Sequence, residues 1–123
     1  NIQEIQDRLG RKTVYLWSYD SELPVIKLEN TSFSEITTST INTLANTSTN
    51  STIESIVTNL RSSFSDRFVS SFIYDQTTLQ LIKMTDPNGV DTTYEYDDFQ
   101  RLSQIKDHDD YVLGKYLYNY RNN

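Results

Sequence analysis

The sequence predicts an α+β protein, mainly β: an antiparallel β-meander with one inserted helical hairpin. Three observations predict it. A repeat recurs at a constant offset of 79 residues, its matches fall on alternating apolar positions and on a turn, and a Ser/Thr-rich stretch with helical periodicity separates the copies.

The first copy runs through Ile2, Ile5, Asp7, Gly10, Thr13, Tyr15, Trp17, Leu23, Ile26 and Lys27. The second runs through Leu81, Met84, Asp86, Gly89, Thr92, Tyr94, Tyr96, Leu102, Ile105 and Lys106. A shorter third copy follows, with Asp107 after Asp86 and with Tyr116 and Tyr118 after Tyr94 and Tyr96. Asp110 stands where Gly89 stood, so the turn is altered there.

Each element of the unit has a physical reason. Leu79, Leu81 and Lys83 alternate as a strand does. In Asp86-Pro87-Asn88-Gly89 the Asp bonds the backbone ahead, Pro presets φ and Gly accepts a positive φ. Thr92, Tyr94 and Tyr96 then share one face of a second strand, and Thr93, Glu95 and Asp97 share the other. Asp97 to Gln100 is the next turn, and Leu102 to Lys106 the next strand. Strand, turn, strand, turn stacks into a meander, and Thr and Tyr suit its strands.

Residues 31–66 have a different composition: eighteen of the 35 residues from Thr31 to Ser65 are Ser or Thr. A flexible linker is one reading. Helix signals favour another. Ser32-Phe33-Ser34-Glu35 and Ser51-Thr52-Ile53-Glu54 both match a capping box. After the second come Ile53, Ile56, Val57, Leu60 and Phe64, an amphipathic stripe. The first carries Phe33, Ile36, Ile41 and Leu44 among weaker helix formers. This predicts a hairpin joined between Ala45 and Asn50, with Arg61 complementing the dipole of the second helix. Phe68 to Tyr74 returns to strand character, and residues 75–78 make a turn. The chain thus reads as a single module over 1–123, with repeat strands over 1–30, the insertion over 31–66 and further strands over 67–123.

Length and composition narrow the function. The chain has 123 residues, about one small domain. Its net charge of -6 has no basic cluster against it, which excludes a nucleic-acid-binding surface of the usual kind. Leu, Ile, Val and Phe make up 32 residues, a lean core with mean hydropathy −0.60, so the nine Tyr must supply part of the buried area. Cys is absent and His occurs once, which excludes disulfides, thiol catalysis and sites built on two His. No apolar run reaches the length of a membrane span, so membrane insertion is not expected. No signal peptide is visible, and a first residue of Asn reads as a processed product or a piece of something longer.

The ordered set Asp86-x-x-Gly89, Thr93-Tyr94-Glu95-Tyr96-Asp97 and Phe99-Gln100-Arg101-Leu102 resembles the tyrosine–aspartate (YD) repeat of RHS proteins. Gln100 stands where the pattern has Gly. The first copy has Trp17 for a Tyr and Ser18 for the Asp; the third has Asn119 for the Asp. The wider order is similar to the C-terminal region of large RHS/YD-repeat proteins of the Bacteroidetes. It runs from Leu16-Trp17-Ser18-Tyr19-Asp20 and Leu23 to Asn30, through a helical insertion, to a YD repeat and Asp107 to Tyr120. The resemblance implies a continuous β-strip that in long members winds into a hollow shell, in proteins exported or displayed on the cell surface. Some members enclose a toxin and others serve adhesion or carbohydrate binding; in Bacteroidetes they are plausible type IX secretion cargo. Three repeats enclose nothing, so the chain is expected to be a C-terminal cap or fragment of a shell, with the hairpin covering an edge or end.

The motif residues Asp7, Gly10, Tyr15, Trp17, Asp86, Gly89, Tyr94, Tyr96, Asp97, Arg101, Leu102, Asp107, Tyr116 and Tyr118 are read as scaffold. The aromatic stripe among them either stacks sugars or forms a core-facing or cross-strand ladder. Repetition favours the ladder, since a structural repeat must reproduce its packing. Tyr19, Tyr111 and Tyr120 lie off this register and are the candidates for exposed contacts. Asp107, Asp109 and Asp110 are the only metal candidates, as oxygen ligands for Ca²⁺; the EF-hand spacing is not met, and a solvated turn with His108 exposed is the favoured reading. Asp97, Asp98 and Arg101 read as a surface charge pair at a turn. Asn30-Thr31-Ser32, Asn46-Thr47-Ser48 and Asn50-Ser51-Thr52 match the N-glycosylation pattern in a composition that produces it by chance.

The expected function is a non-catalytic structural and interaction module that needs no cofactor. Its partners are the remainder of its own shell or the secretion machinery. A cell-surface carbohydrate-binding or adhesion module is the alternative, and a hydrolase lacks a visible nucleophile–base set. A fourth reading makes the chain an export signal.

Overall fold

The computed structural model describes residues 3–116. Its strands are β1 (Glu4–Gln6), β2 (Lys12–Ser18), β3 (Leu23–Glu29), β4 (Phe68–Tyr74), β5 (Leu81–Thr85), β6 (Asp91–Tyr96), β7 (Leu102–Lys106) and β8 (Val112–Lys115). All eight form one antiparallel sheet in chain order, a pure meander. Between β3 and β4 the chain leaves the sheet for a 3-10 turn (Phe33–Glu35) and two helices, α1 (Thr38–Ala45) and α2 (Asn50–Ser63). The fold is thus mainly β with a helical hairpin, as the alternation and the repeat predict.

The register assigns the two faces. Leu16 opposes Ile26, Val14 opposes Leu28, and Leu28 in turn opposes Val69. Antiparallel partners share a face, so these side chains form one apolar surface under the helices. Leu44 of α1 and Ile53, Val57 and Leu60 of α2 close it from above. The stripe read from the sequence is the one buried. Ile36 joins the core, while Phe33, Ile41, Ile56 and Phe64 pack at its margin.

The core is lopsided. Every buried hydrophobic residue lies between Val14 and Ile73; among the described residues none after Ile73 is buried. Strands β5 to β8 therefore extend beyond the buried core, and of the four it is β5 that meets the edge of α2, through Glu54 and Arg61. On the helix side they present Lys83, Thr85, Asp91, Thr93, Glu95, Gln104 and Lys106. The far side is apolar. Four register shifts interrupt the ladder, at β2/β3, β4/β5, β6/β7 and β7/β8, leaving Val25, Ile82, Ser103 and Leu113 between paired positions. Such bulges bend a strand and increase its twist, so the strip coils rather than lies flat.

Three local expectations are corrected. Leu79 is not in a strand: it sits in the β4–β5 turn at φ +62°. The first capping box closes the 3-10 turn, where the Ser32 amide donates to Glu35 at 2.8 Å; α1 starts later, on Thr37, whose hydroxyl accepts from the Thr40 amide. The second box is not used. Helix α2 begins at Asn50, and Glu54 turns to the sheet to pair with Lys83. Arg61 does more than complement a dipole, donating to the carbonyls of Asp86 (3.1 Å) and Thr85 (3.3 Å) and ties α2 to the end of β5.

Candidate functional site

The recurrent feature is a turn built the same way four times. Asp7, Asp86, Asp97 and Asp107 each place Oδ1 to accept two backbone amides ahead: Leu9 and Arg11, Asn88 and Val90, Phe99 and Arg101, Asp109 and Tyr111. In each, the amide of the fourth turn residue donates to the Asp carbonyl, and the Asp amide donates to the carbonyl of the fifth. The distances repeat to within about 0.2 Å, from 2.8 to 3.1 Å. Arg11 and Arg101 add a guanidinium to the second oxygen of their Asp, at 2.7 and 3.0 Å from Nε. Asp75 builds a version one residue longer, accepting from Thr77 and Thr78. The predicted turn at 75–78 is there, but its kinship with the Asp86 turn was hidden by that extra residue.

The fourth turn position needs a left-handed backbone, which explains the glycines. Gly10 and Gly89 hold φ +83° and +81°. Gln100 and Asp110 occupy the same place at +62° and +64°, a conformation L side chains reach at a cost. Gln100→Gly is therefore expected to stabilise the protein by about 0.5–1 kcal/mol, and Gly89→Ala to destabilise it by about 1 kcal/mol. A Cβ at Gly89 meets nothing within 4 Å, so that loss is conformational alone. Urea unfolding of both variants checks the pair.

The turn carboxylates carry a pH signature. The amides of Thr78 and Thr77 hold the Asp75 carboxyl below its ordinary value. Desolvation pushes Asp97 and Asp7 upward, but their turn amides and the neighbouring Arg101 and Arg11 outweigh it, so both titrate low. Glu35 is held low by Arg67, and Glu95 by Lys106 and Gln104. A depressed folded value means that the unfolded chain binds protons first as pH falls. The stabilisation is complete above the unfolded carboxylate range, near about pH 4, and is lost as pH drops through the folded values. The melting temperature is expected to hold from neutral pH down to about 5 and then fall steeply. Asp75→Asn should flatten that acid limb, because its side chain no longer titrates.

The first copy breaks the pattern at Ser18, and the insertion seats there. The buried Ser18 hydroxyl reaches the carbonyls of Leu44 (2.7 Å) and Thr47 (2.9 Å) at the end of α1. Tyr19, Asp20 and Ser21 then take three successive positive φ values, 53°, 58° and 64°. This strained loop turns Tyr19 inward to 3% exposure, correcting its place among the exposed candidates. The Tyr19 hydroxyl donates to Asn50 Oδ1 at 2.6 Å and accepts from the Tyr74 amide at 3.0 Å, while its ring meets Tyr74 edge-on at 5.5 Å. Asn50 Nδ2 closes the set on the Tyr74 carbonyl. Burial raises the hydroxyl pKa of both tyrosines, so each stays a neutral donor.

The aromatic stripe lies on the face away from the helices. Tyr15 and Trp17 alternate with the buried Val14, Leu16 and Ser18, and Tyr94 and Tyr96 with Thr93 and Glu95. They are half-buried and each opposes a non-aromatic partner: Lys27, Pro24, Ile105 and Leu102. The Tyr96 hydroxyl donates to the Leu81 carbonyl at 2.6 Å, crossing to β5. Tyr116 continues the stripe with its ring over Gly114. Tyr118 and Tyr120 lie outside the described residues. Phe99 and Tyr111, on the turns, are the fully exposed aromatics of the repeat, at 70% and 71%.

The acidic stretch does not converge. Asp107 spends Oδ1 on its turn, Asp109 faces His108 at 3.2 Å, and Asp110 is the left-handed residue. Among the described residues no three His, Cys, Asp or Glu side chains are grouped to hold a metal ion. Asp97 and Arg101 form an ion pair within the turn at 2.9 Å.

The whole Asp turn series from β4 to β7 falls within one recognised unit. Residues 71–110 are an RHS repeat. That RHS repeat spans the end of β4, strands β5, β6 and β7 and the turns at Asp75, Asp86, Asp97 and Asp107. No curated protein and no solved structure matches the chain.

Proposed function

We propose that the chain is a non-catalytic structural module of an exported RHS/YD-repeat protein, a strip segment that joins further β structure edge to edge. One observation carries the reading: the carboxylates at Asp7, Asp86, Asp97 and Asp107, where chemistry would be sought, are each consumed by amides of their own turn. The two edges of the sheet support it. Strand β1 is three residues long, and its Glu4 carboxylate is held by the Phe33 amide of the insertion. Strand β8 is guarded lightly, by its four-residue length, the bulge at Leu113 and Lys115, and Val112 and Leu113 on it stand 50% and 63% exposed. In this reading β8 is the growing edge and the helical hairpin closes the other half, as a cap does. The type IX route and a Bacteroidetes-type source belong to the same proposal, with the protein outside the cell or on its surface.

The half-exposed Tyr94 and Tyr96 support a second reading, a carbohydrate-binding or adhesion module, because sugars stack on such rings. Two measurements separate the readings. Limited proteolysis of the source protein with and without this chain should show that neighbouring strands lose protection when it is removed; unchanged protection overturns the structural reading. A glycan array with the isolated chain should be blank, and a hit abolished by Tyr94→Ala would establish the adhesion module instead. Fractionation of the source cells tests export, and retention inside the cell overturns it.

A further inference from the structure

The two copies of the repeat differ in strand register by one residue. In the intact copy Thr93 opposes Lys106, Tyr94 opposes Ile105 and Tyr96 opposes Leu102. At the 79-residue offset the matching pairs are Val14 with Lys27, Tyr15 with Ile26 and Trp17 with Leu23. None of them forms. Val14 opposes Leu28, Tyr15 opposes Lys27 and Trp17 opposes Pro24. The bulge follows Leu16 as it follows the counterpart Glu95, so the whole β2–β3 hairpin is displaced as a body. The loop takes up the extra residue: residues 18–23 lie between Trp17 and Pro24, whereas residues 97–101 lie between Tyr96 and Leu102. Three successive left-handed residues, Tyr19, Asp20 and Ser21, stand where the repeat has Gln100 alone.

Side chains alternate along a strand, so a slip of one residue reverses which of them share a face with the neighbouring strand. That reversal makes the seat of the insertion. Ile26 joins Leu16 and Leu28 joins Val14 beneath the helices, with Val14, Ile26 and Leu28 fully buried. In the intact copy Ile105 lies on the opposite face, and Lys106 lies on the helix side, paired with Glu95. We infer that the β2–β3 hairpin has two registers, the repeat's own and the slipped one, and that the seated insertion holds the slipped one. The repeat register is still encoded, since Tyr15 with Ile26 and Trp17 with Leu23 reproduce the apolar pairs Tyr94 with Ile105 and Tyr96 with Leu102. It also needs a left-handed residue only at Ser21, the counterpart of Gln100. The helices forbid it. Turning β3 over would bring Lys27 and Glu29 beneath them and bury charge. Turning β2 over would bring Tyr15 and Trp17 there, larger side chains than the Val14 and Leu16 they displace. Of the two, β2 is the strand free to move, because only the three-residue β1 lies beyond it. Ser18 links the states. In the slipped register its hydroxyl is engaged by the carbonyls of Leu44 and Thr47. In the repeat register it stands at the Asp97 position, where a hydroxyl bonds the turn as Asp does, more weakly. Lifting α1 therefore frees Ser18, the loop and β2 together, and the insertion biases one equilibrium between two registers.

The test is disulfide trapping in the full chain, which has no Cys of its own. Val14→Cys with Lys27→Cys makes an opposed pair only in the repeat register, and Tyr15→Cys with Lys27→Cys only in the slipped one. Val14→Cys with Glu29→Cys reports a slip in the other direction at nearly the same chain separation, so loop closure treats it alike. Leu44→Ala loosens the seat of α1 without altering the hairpin. Ser18→Ala loosens it through hydrogen bonds alone, and takes the place of Leu44→Ala if that chain does not fold. In the parent chain the Tyr15/Lys27 pair is expected to close first. With the seat loosened, the Val14/Lys27 pair should close at least about tenfold faster than in the parent, while the Val14/Glu29 pair keeps its rate. Equal acceleration of these two pairs means fraying without a second register and overturns the inference. So does a Val14/Lys27 pair whose rate the loosened seat leaves unchanged.

Discussion

Replacing residues 31–66 by a short turn between β3 and β4 is expected to abolish cooperative unfolding and leave an aggregating chain. The reason is the position of the core. Ile36, Leu44, Ile53, Val57 and Leu60 lie within the excised segment and cover Val14, Leu16, Ile26, Leu28, Val69 and Ile73 from above. Removing the cover exposes six large aliphatic side chains on one face of three adjacent strands. Each fully buried side chain of this size is worth about 1.5–3 kcal/mol, so the loss of about 9–18 kcal/mol is as large as the roughly 5–15 kcal/mol that holds a small domain together. The remaining strands do not compensate, because no described residue after Ile73 is buried. A linker would behave differently: its excision would leave the melt unchanged. Circular dichroism melts and binding of a hydrophobic dye to the excised chain decide between the two. A milder version serves as a control, since Leu44→Ala alone should cost about 2–5 kcal/mol while keeping the fold.

The legible parts of this fold are those fixed by local chemistry. An Asp followed three residues later by Gly dictates a turn through its own amides, and the apolar stripe at Ile53, Val57 and Leu60 dictates which side of α2 is inside. The face of the tyrosines was harder to read, because in a meander with one covered side both faces alternate equally well. Only the helices decide, and they take the face of Val14 and Leu16. Helix starts were misplaced where tertiary contacts outbid a capping motif. Asn50 opens α2 because its side chain is held by Tyr74 and Tyr19 and its amide by Gln76. Ser51 and Glu54, one turn in, are left to solvent and to Lys83. Tyr19 was legible only as a departure from the repeat, and its burial follows from the loop that Ser18 permits. A signal was present: the repeat departs from its Asp in the copy that precedes the insertion.

Ser18→Asp, which restores the repeat's own residue, is expected to destabilise the protein more than any other single change at a turn, by about 3 kcal/mol or more at neutral pH. In the intact RHS repeat the corresponding Asp97 faces amides, which welcome a carboxylate. At Ser18 the neighbours are the carbonyls of Leu44 and Thr47, at the negative end of α1. A carboxylate there is buried, repelled by both oxygens and unable to donate to either. Burial and repulsion raise its pKa in the folded state, so the sign is opposite to that of the native turn carboxylates. The variant's deficit is largest at high pH and shrinks as pH falls and the protonated acid regains a donor. Ser18→Ala provides the comparison: it removes the donor without adding a charge, should cost about 1–3 kcal/mol, and should show no such pH dependence. Urea unfolding of the three proteins across the acid range measures both effects. A Ser18→Asp chain as stable as wild type would mean that the β2–β3 loop reverts to the ordinary Asp turn and the helical hairpin is not held through Ser18.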